Sequence, residues 1–113
     1  MNFKQLTPDY AVAPQISAAD VPQIAAAGFK SIICNRPDAE HPGEASTADE
    51  VKAAAGKAGL EFRYIPVISG QMTQEDVEDQ AAALKDLPAP VFAYCRSGTR
   101  CTNLYGLVQQ QRR

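Results

Sequence analysis

The sequence predicts an α/β fold: one compact domain, residues 1–113, with a mostly parallel central sheet of about four to five strands and helices on both faces. Three observations lead there. Short apolar runs, too brief for helices, alternate along the chain with longer amphipathic stretches. A capping-box pattern, in which a hydroxyl and a carboxylate three residues later satisfy the free N–H groups of a helix start, occurs at Ser17–Asp20, Thr47–Glu50 and Thr73–Asp76. Near the end of the chain, the apolar run Val91-Phe92-Ala93-Tyr94 leads into the glycine-containing turn Cys95-Arg96-Ser97-Gly98-Thr99-Arg100, and a helical pattern follows at once.

Taken in order, apolar pieces around Phe3 and at Tyr10–Ala13, separated by Thr7-Pro8-Asp9, predict an opening hairpin. The first helix starts at the Ser17 box, places Val21, Ile24 and Ala25 on one face, and runs to about Ala27, with Gly28 as its left-handed stop. Phe29–Cys34 is rich in β-branched residues and predicts a strand buried on both faces. A polar loop, Asn35–Glu44, follows. The second helix begins at Thr47, lines one side with Val51, Ala54, Ala55 and Ala58, and ends at Gly59-Leu60. Phe62–Val67 predicts another strand, and Ser69-Gly70 turns the chain into a third helix with Val77, Ala81 and Leu84 on its core face. Pro88 and Pro90 end that helix, Val91–Tyr94 forms a strand, and Leu104, Leu107 and Val108 give the last helix its apolar stripe.

Composition narrows the function classes. Charged residues make up 21% of the chain and the formal net charge is -2, which gives no long-range attraction to nucleic acid or an anionic membrane, so anion binding has to be local. The stretch from Met1 to Pro8 lacks the apolar run of a signal peptide, and no later segment approaches the length of a membrane span. A cytoplasmic protein is the expectation. Three cysteines and one histidine show none of the paired spacings of a zinc site; reduced thiols are expected, with no metal and no cofactor.

Cys95 is the candidate nucleophile. In such a turn, backbone N–H groups point inward, the following helix directs the positive end of its dipole at the same point, and Arg96 and Arg100 add full charge. A free thiol ionises near pH ~8.5, and such surroundings bring that to roughly 3.5–7.5. The amides of Ser97, Gly98, Thr99, Arg100 and Cys101 are the expected anion cradle, with Gly98 allowing the turn. Parallel sheets place ligands at the carboxyl ends of their strands, so this turn and the Asn35–Glu44 loop, which carries Arg36, Asp38 and His41, are expected to meet at the site.

The segments Pro14-Gln15-Ile16-Ser17, Gly28–Asp38 and Tyr94–Arg100 resemble the N-terminal domain of bacterial beta-lactamase-hydrolase-like proteins, over nearly the whole chain. The resemblance implies the fold of cysteine-dependent phosphatases, and members of the family are described both as phosphatase-like and as sulfurtransferases, the latter sometimes fused to a persulfide dioxygenase. Phosphatases of this fold separate cysteine and arginine by five residues. Here four intervene, as in the loop of rhodaneses, and Cys101 stands at the phosphatase arginine position. The loop in which such phosphatases carry their general acid corresponds to Ile68-Ser69-Gly70-Gln71-Met72, which has no carboxylate. Asp38 is the substitute donor.

The first reading is therefore a rhodanese-like sulfurtransferase: Cys95 takes sulfur from thiosulfate or a low-molecular-weight persulfide and passes it to a thiol or cyanide, with a persulfide dioxygenase as a possible partner. The alternatives are a phosphatase acting on a phosphate ester through Cys95 and a non-catalytic module that binds an anion or phosphopeptide. Plainer roles compete at individual residues. Cys95 could be an inert core thiol, but an apolar site does not explain Arg96, Gly98 and Arg100 around it. Cys34 closes an apolar strand and reads as core, with a resolving thiol as the alternative, and Cys101 reads as packing, with a sulfur relay or a protective disulfide as the alternative. Arg36 and Asp38 are also good turn chemistry beside Pro37, His41 reads as a solvated loop histidine, and the acidic runs at Asp49-Glu50 and Glu75–Asp79 favour helix dipoles.

Overall fold

The computed structural model describes residues 2–111; Met1, Arg112 and Arg113, the outermost residues of the expected domain, lie outside it. Five strands form one sheet: β1 (Lys4–Thr7), β2 (Tyr10–Ala13), β3 (Ser31–Cys34), β4 (Glu61–Tyr64) and β5 (Val91–Tyr94). Their order across the sheet is β1-β2-β5-β3-β4. Only β1 runs antiparallel, forming the opening hairpin with β2, while β2, β5, β3 and β4 are mutually parallel. Tyr94 is in register with Ala13 on one side and Cys34 on the other, so these strands end along one edge of the sheet.

Four helices cover the two faces: α1 (Val21–Ala26), α2 (Ala48–Lys57), α3 (Gln74–Asp86) and α4 (Thr99–Gln111). Alternation along β5 assigns side chains to two cores. Phe92 and Tyr94 join Val21, Ile24, Val51 and Ala55 under α1 and α2, and Val91, Ala93 and Cys95 join Val77, Leu104 and Val108 under α3 and α4. Cys95 is therefore turned toward α4 by the same period that buries Ala93 beneath it.

Several elements differ from expectation for local reasons. The stretch after Ser17 is a 3-10 turn at Ala18–Asp20 followed by α1, because Pro22 lacks the N–H that would tie an unbroken helix back to Ala18. β3 begins at Ser31, and Phe29 instead packs edge-to-face on Phe92 at 5.2 Å. β4 is shorter than Phe62–Val67 because Pro66 cannot donate to a ladder; Ile65 and Val67 still bond to the carbonyls of Cys34 and Asn35 and stay buried. On α3 the buried residues are Val77, Gln80 and Ala83, with Ala81 and Leu84 at the margin, and on α4 Cys101 replaces the exposed Leu107 in the core stripe. Both Thr47 and Thr73 accept the expected cap bonds, from Glu50 N–H and Asp76 N–H. Among the described residues no helix is long and apolar enough to cross a membrane.

Candidate active site

β5 occupies the centre of the sheet and delivers Cys95 to its carboxyl edge. The Cys95 N–H continues the ladder to Ala13 O at 3.2 Å, and Gln15 N–H binds Arg96 O at 3.2 Å, so the chain leaves the strand along a fixed path. It then turns through Gly98, whose φ of +91° belongs to the left-handed region that side chains disfavour. The turn brings Gly98 N–H within 3.1 Å of Cys95 Sγ, and the amides of Ser97 and Cys101 in the same turn also favour the charge on the sulfur. α4 starts at Thr99 and points its N-terminus at the same place.

This crown makes the sulfur an anion. The thiol of Cys101 hydrogen-bonds to Cys95 and is the largest influence; burial opposes ionisation, and the N–H groups of Cys101, Gly98 and Ser97 add to the stabilisation, bringing the Cys95 thiol from 9.0 down to about 5. Directed hydrogen bonds, not the flanking guanidinium charges, are thus the leading cause. Gly98→Ala should cost about 1–3 kcal/mol in urea unfolding and slow Cys95 alkylation at acid pH, because its Cβ would sit 3.4 Å from the Ala13 carbonyl carbon at a φ that only glycine adopts freely. Wild-type stability and reactivity in that variant would show that the turn can form without glycine.

Cys95, itself only 1% exposed, forms part of the floor of an open cleft of about 740 Å³ whose walls include Arg36, Glu40, Ile68, Arg96 and Arg100. Arg96 stands exposed on its rim. Arg100 is held differently: its Nη1 donates to Glu40 Oε2 and to Val67 O, both at 2.9 Å, and its Nη2 donates to Glu40 Oε1 at 3.2 Å. Arg36 Nε binds the same Glu40 Oε1 at 3.1 Å, and Arg36 Nη1 reaches Gln15 Oε1 at 3.2 Å. Glu40 therefore joins two arginines from two loops. Burial works against its charge, but hydrogen bonds from Arg100 and then Arg36 prevail and hold its carboxyl below the usual range.

Sequence reasoning missed Glu40, although the i,i+4 spacing from Arg36 carries the signal. Arg100, expected to add full charge to the turn, has a side chain that is 9% exposed and shares its charge with a carboxylate. Asp38, the proposed proton donor, does not line the cleft: its Oδ1 accepts the Ala48 N–H at 2.9 Å and so caps α2, while its own N–H donates to the Tyr64 hydroxyl at 3.0 Å. His41 is buried, not solvated, and lies outside the cleft lining. Cys34 is a core thiol that donates to Arg36 O at 3.4 Å, and burial pushes its ionisation up. Cys101, expected in the anion cradle, contributes its N–H there but turns its side chain inward behind Cys95.

An ion-paired Glu40 has no proton to give near neutral pH. Glu40→Gln is therefore expected to keep turnover within about tenfold while lowering stability by about 1–3 kcal/mol. A thousandfold loss of activity in a variant that remains folded would instead make Glu40 the proton donor.

The model of the beta-lactamase hydrolase-like protein family, phosphatase-like domain, matches residues 2–112. The chain belongs to this family. A beta-lactamase hydrolase-like protein of Agrobacterium fabrum (strain C58) is 43% identical over 96 residues, 85% of this chain and 22% of that protein. The chain spans 22–25% of the length of the curated relatives it matches. Among solved structures, a candidate phosphatase from Neisseria meningitidis Z2491 superposes with a TM-score of 0.85 at 37% identity, covering 94% of this chain and 75% of that one. The core catalytic domain of the PP-IP phosphatase SIW14 from S. cerevisiae shares the fold, with a TM-score of 0.74 at 14% identity over 97% of this chain and 65% of that one. This member of the family is accordingly a phosphatase-like domain with the fold of cysteine-dependent phosphatases.

Proposed function

We propose that the domain transfers sulfur through Cys95. The observation that carries this reading is the way the loop closes: the Gly98 N–H comes within 3.1 Å of the Cys95 sulfur, with the Ser97 and Cys101 amides favouring its charge from the same turn, while Arg100 is tied to Glu40 and Val67. Such a cradle suits one added sulfur atom. A bidentate grip on a tetrahedral phosphate would need Arg100 to leave three hydrogen bonds, and Glu40, the carboxylate among the described residues of the cleft wall, is held in its ionised form.

The Cys95 thiolate attacks the outer sulfur of thiosulfate; the new S–S bond forms as sulfite departs with the electron pair of the broken one. A thiolate or cyanide then attacks the outer sulfur of the Cys95 persulfide and restores the Cys95 anion. Arg96, exposed on the rim, draws the anionic donor into the cleft, and the hydrogen bonds to Cys95 stabilise it as the leaving group of the second step. A dioxygenase that consumes the product persulfide is a fitting partner.

Mass spectrometry after incubation with thiosulfate tests this: Cys95 should gain the mass of one sulfur, and cyanide should remove it. The family's phosphatase-like character and the likeness to the Neisseria protein favour a second reading, phosphate-ester hydrolysis through a phosphorylated Cys95. An unmodified Cys95 in a protein that hydrolyses p-nitrophenyl phosphate would establish that reading instead. Neither activity would leave an anion-binding module.

A further inference from the structure

Behind the Cys95 loop a chain of polar side chains crosses the interior, and the transfer chemistry described above uses only its first member. Cys101 Sγ lies 3.3 Å from Asn35 Oδ1, close enough for its thiol proton to be given there. Asn35 Nδ2 donates to Ile65 O and to Gln80 Oε1, both at 2.9 Å. Gln80 Nε2 returns a bond to Asn35 Oδ1 at 3.3 Å and reaches the Tyr10 hydroxyl at 3.2 Å. Cys101, Asn35 and Gln80 are fully buried and Tyr10 nearly so. Two side-chain amides in an apolar interior are costly unless paired, and a reciprocal pair satisfies both. It also settles orientation: with its nitrogen committed to Ile65 and Gln80, Asn35 presents its oxygen to Cys101.

Cys101 thus has one proton and two acceptors, the Asn35 oxygen on one side and the Cys95 sulfur on the other. A thiolate is the stronger acceptor; a sulfur already bonded to a transferred group is the weaker. We propose that Asn35, oriented by Gln80, is a positioning residue that acts through Cys101: it accepts the Cys101 S–H while Cys95 carries a transferred group and yields it to Cys95 when that sulfur leaves as an anion. The proton stays on Cys101 throughout, and only its hydrogen bond changes partner. The leaving group gains a donor at the moment charge develops, and no buried S–H is left unpaired in the loaded state. The inference rests on Cys95 being the nucleophile, whichever group it carries.

The ionisable groups facing Cys95 are Cys101 from α4, Cys34 from β3, Tyr10 from β2, and Arg36, Glu40, Arg96 and Arg100 around the cleft. Burial first of all keeps Cys34, Tyr10 and Cys101 protonated at neutral pH. The pH profile of Cys95 alkylation therefore reads the partner exchange by its sign. Cys101→Ala should raise the midpoint by about tenfold in ionisation constant, and Cys101→Ser should restore it. Asn35→Leu combined with Gln80→Leu replaces the amide pair by an apolar one and leaves Cys95 as the only acceptor, so the midpoint should fall by about threefold. A residue that merely braced Cys101 would give no change or a rise on removal, and either result overturns the proposal.

Infrared spectroscopy of the unaltered chain supplies a test that does not depend on the double variant folding. The S–H stretch assigned to Cys101 by its loss in Cys101→Ser should move to lower frequency as Cys95 ionises and return when Cys95 is alkylated. A band indifferent to both overturns the exchange. Opposed midpoint shifts in a protein that takes up neither sulfur nor phosphate would support the exchange and sink the proposed function alone.

Discussion

At pH 5.5, Cys95 is expected to react with iodoacetamide about tenfold faster than a small free thiol, whereas at pH 7 the two rates should be about equal. The anion is the reactive form, so the rate should climb as pH rises through about 5 and then level off. Ionised fraction alone favours Cys95 by about thirtyfold at pH 7, but intrinsic nucleophilicity falls with thiol basicity by about the same factor, and the two effects cancel. At pH 5.5 the free thiol is only about 0.1% ionised, and the advantage in fraction wins. The same ionisation aids folding: a thiol depressed from 9.0 to about 5 contributes most above the unfolded value, and that contribution is lost as pH falls through about 5. Cys95→Ser should abolish alkylation at this site and reduce turnover on the order of 10⁴-fold or more. A rate profile with its midpoint near that of an ordinary thiol would refute the thiolate assignment and all the chemistry built on it.

Arg100→Ala is expected to destabilise the domain by about 2–4 kcal/mol, read from urea unfolding. The sequence alone suggests a small effect, since exposed guanidinium groups contribute little to stability. The structure corrects that expectation because Arg100 is 9% exposed and makes three hydrogen bonds, two to Glu40 and one to Val67 O. Its removal leaves a partly buried carboxylate with Arg36 as its remaining ion-pair partner and takes the donor from a main-chain carbonyl. Arg100→Lys should recover little, because an ammonium cannot span both carboxylate oxygens and the carbonyl as the planar fork does. A loss below about 1 kcal/mol would return Arg100 to the role of a solvated anion binder.

The elements that were legible in the sequence are those with local signatures. Thr47 and Thr73 announce helices because the capping box is a four-residue device, and the strand Val91–Tyr94 is bounded by Pro90 and the glycine turn. The position of Cys95 at a sheet edge followed from strand, turn and helix order alone. What escaped were pairings between residues remote in sequence. Gln80 sits on α3 among acidic and small residues and looks like a solvated amide until Asn35, 45 positions earlier, is brought against it. Glu40 gains its meaning from Arg100, 60 positions away. Asp38 was misread because a carboxylate near a proline turn serves equally as an acid or as a cap, and only the approach of Ala48 decides between them.

The central place of β5 has a consequence for how the domain fails. Parallel neighbours bond it on both sides, so neither flank can peel away and release residues 91–94 without dismantling the sheet. Deuterium should enter these amides only at the slowest, globally limited rate, while the peripheral hairpin strand Lys4–Thr7 exchanges early. The machinery at the tip of β5 then outlasts fraying of the outer layers, and denaturant should extinguish catalysis in the same cooperative step that erases the fold.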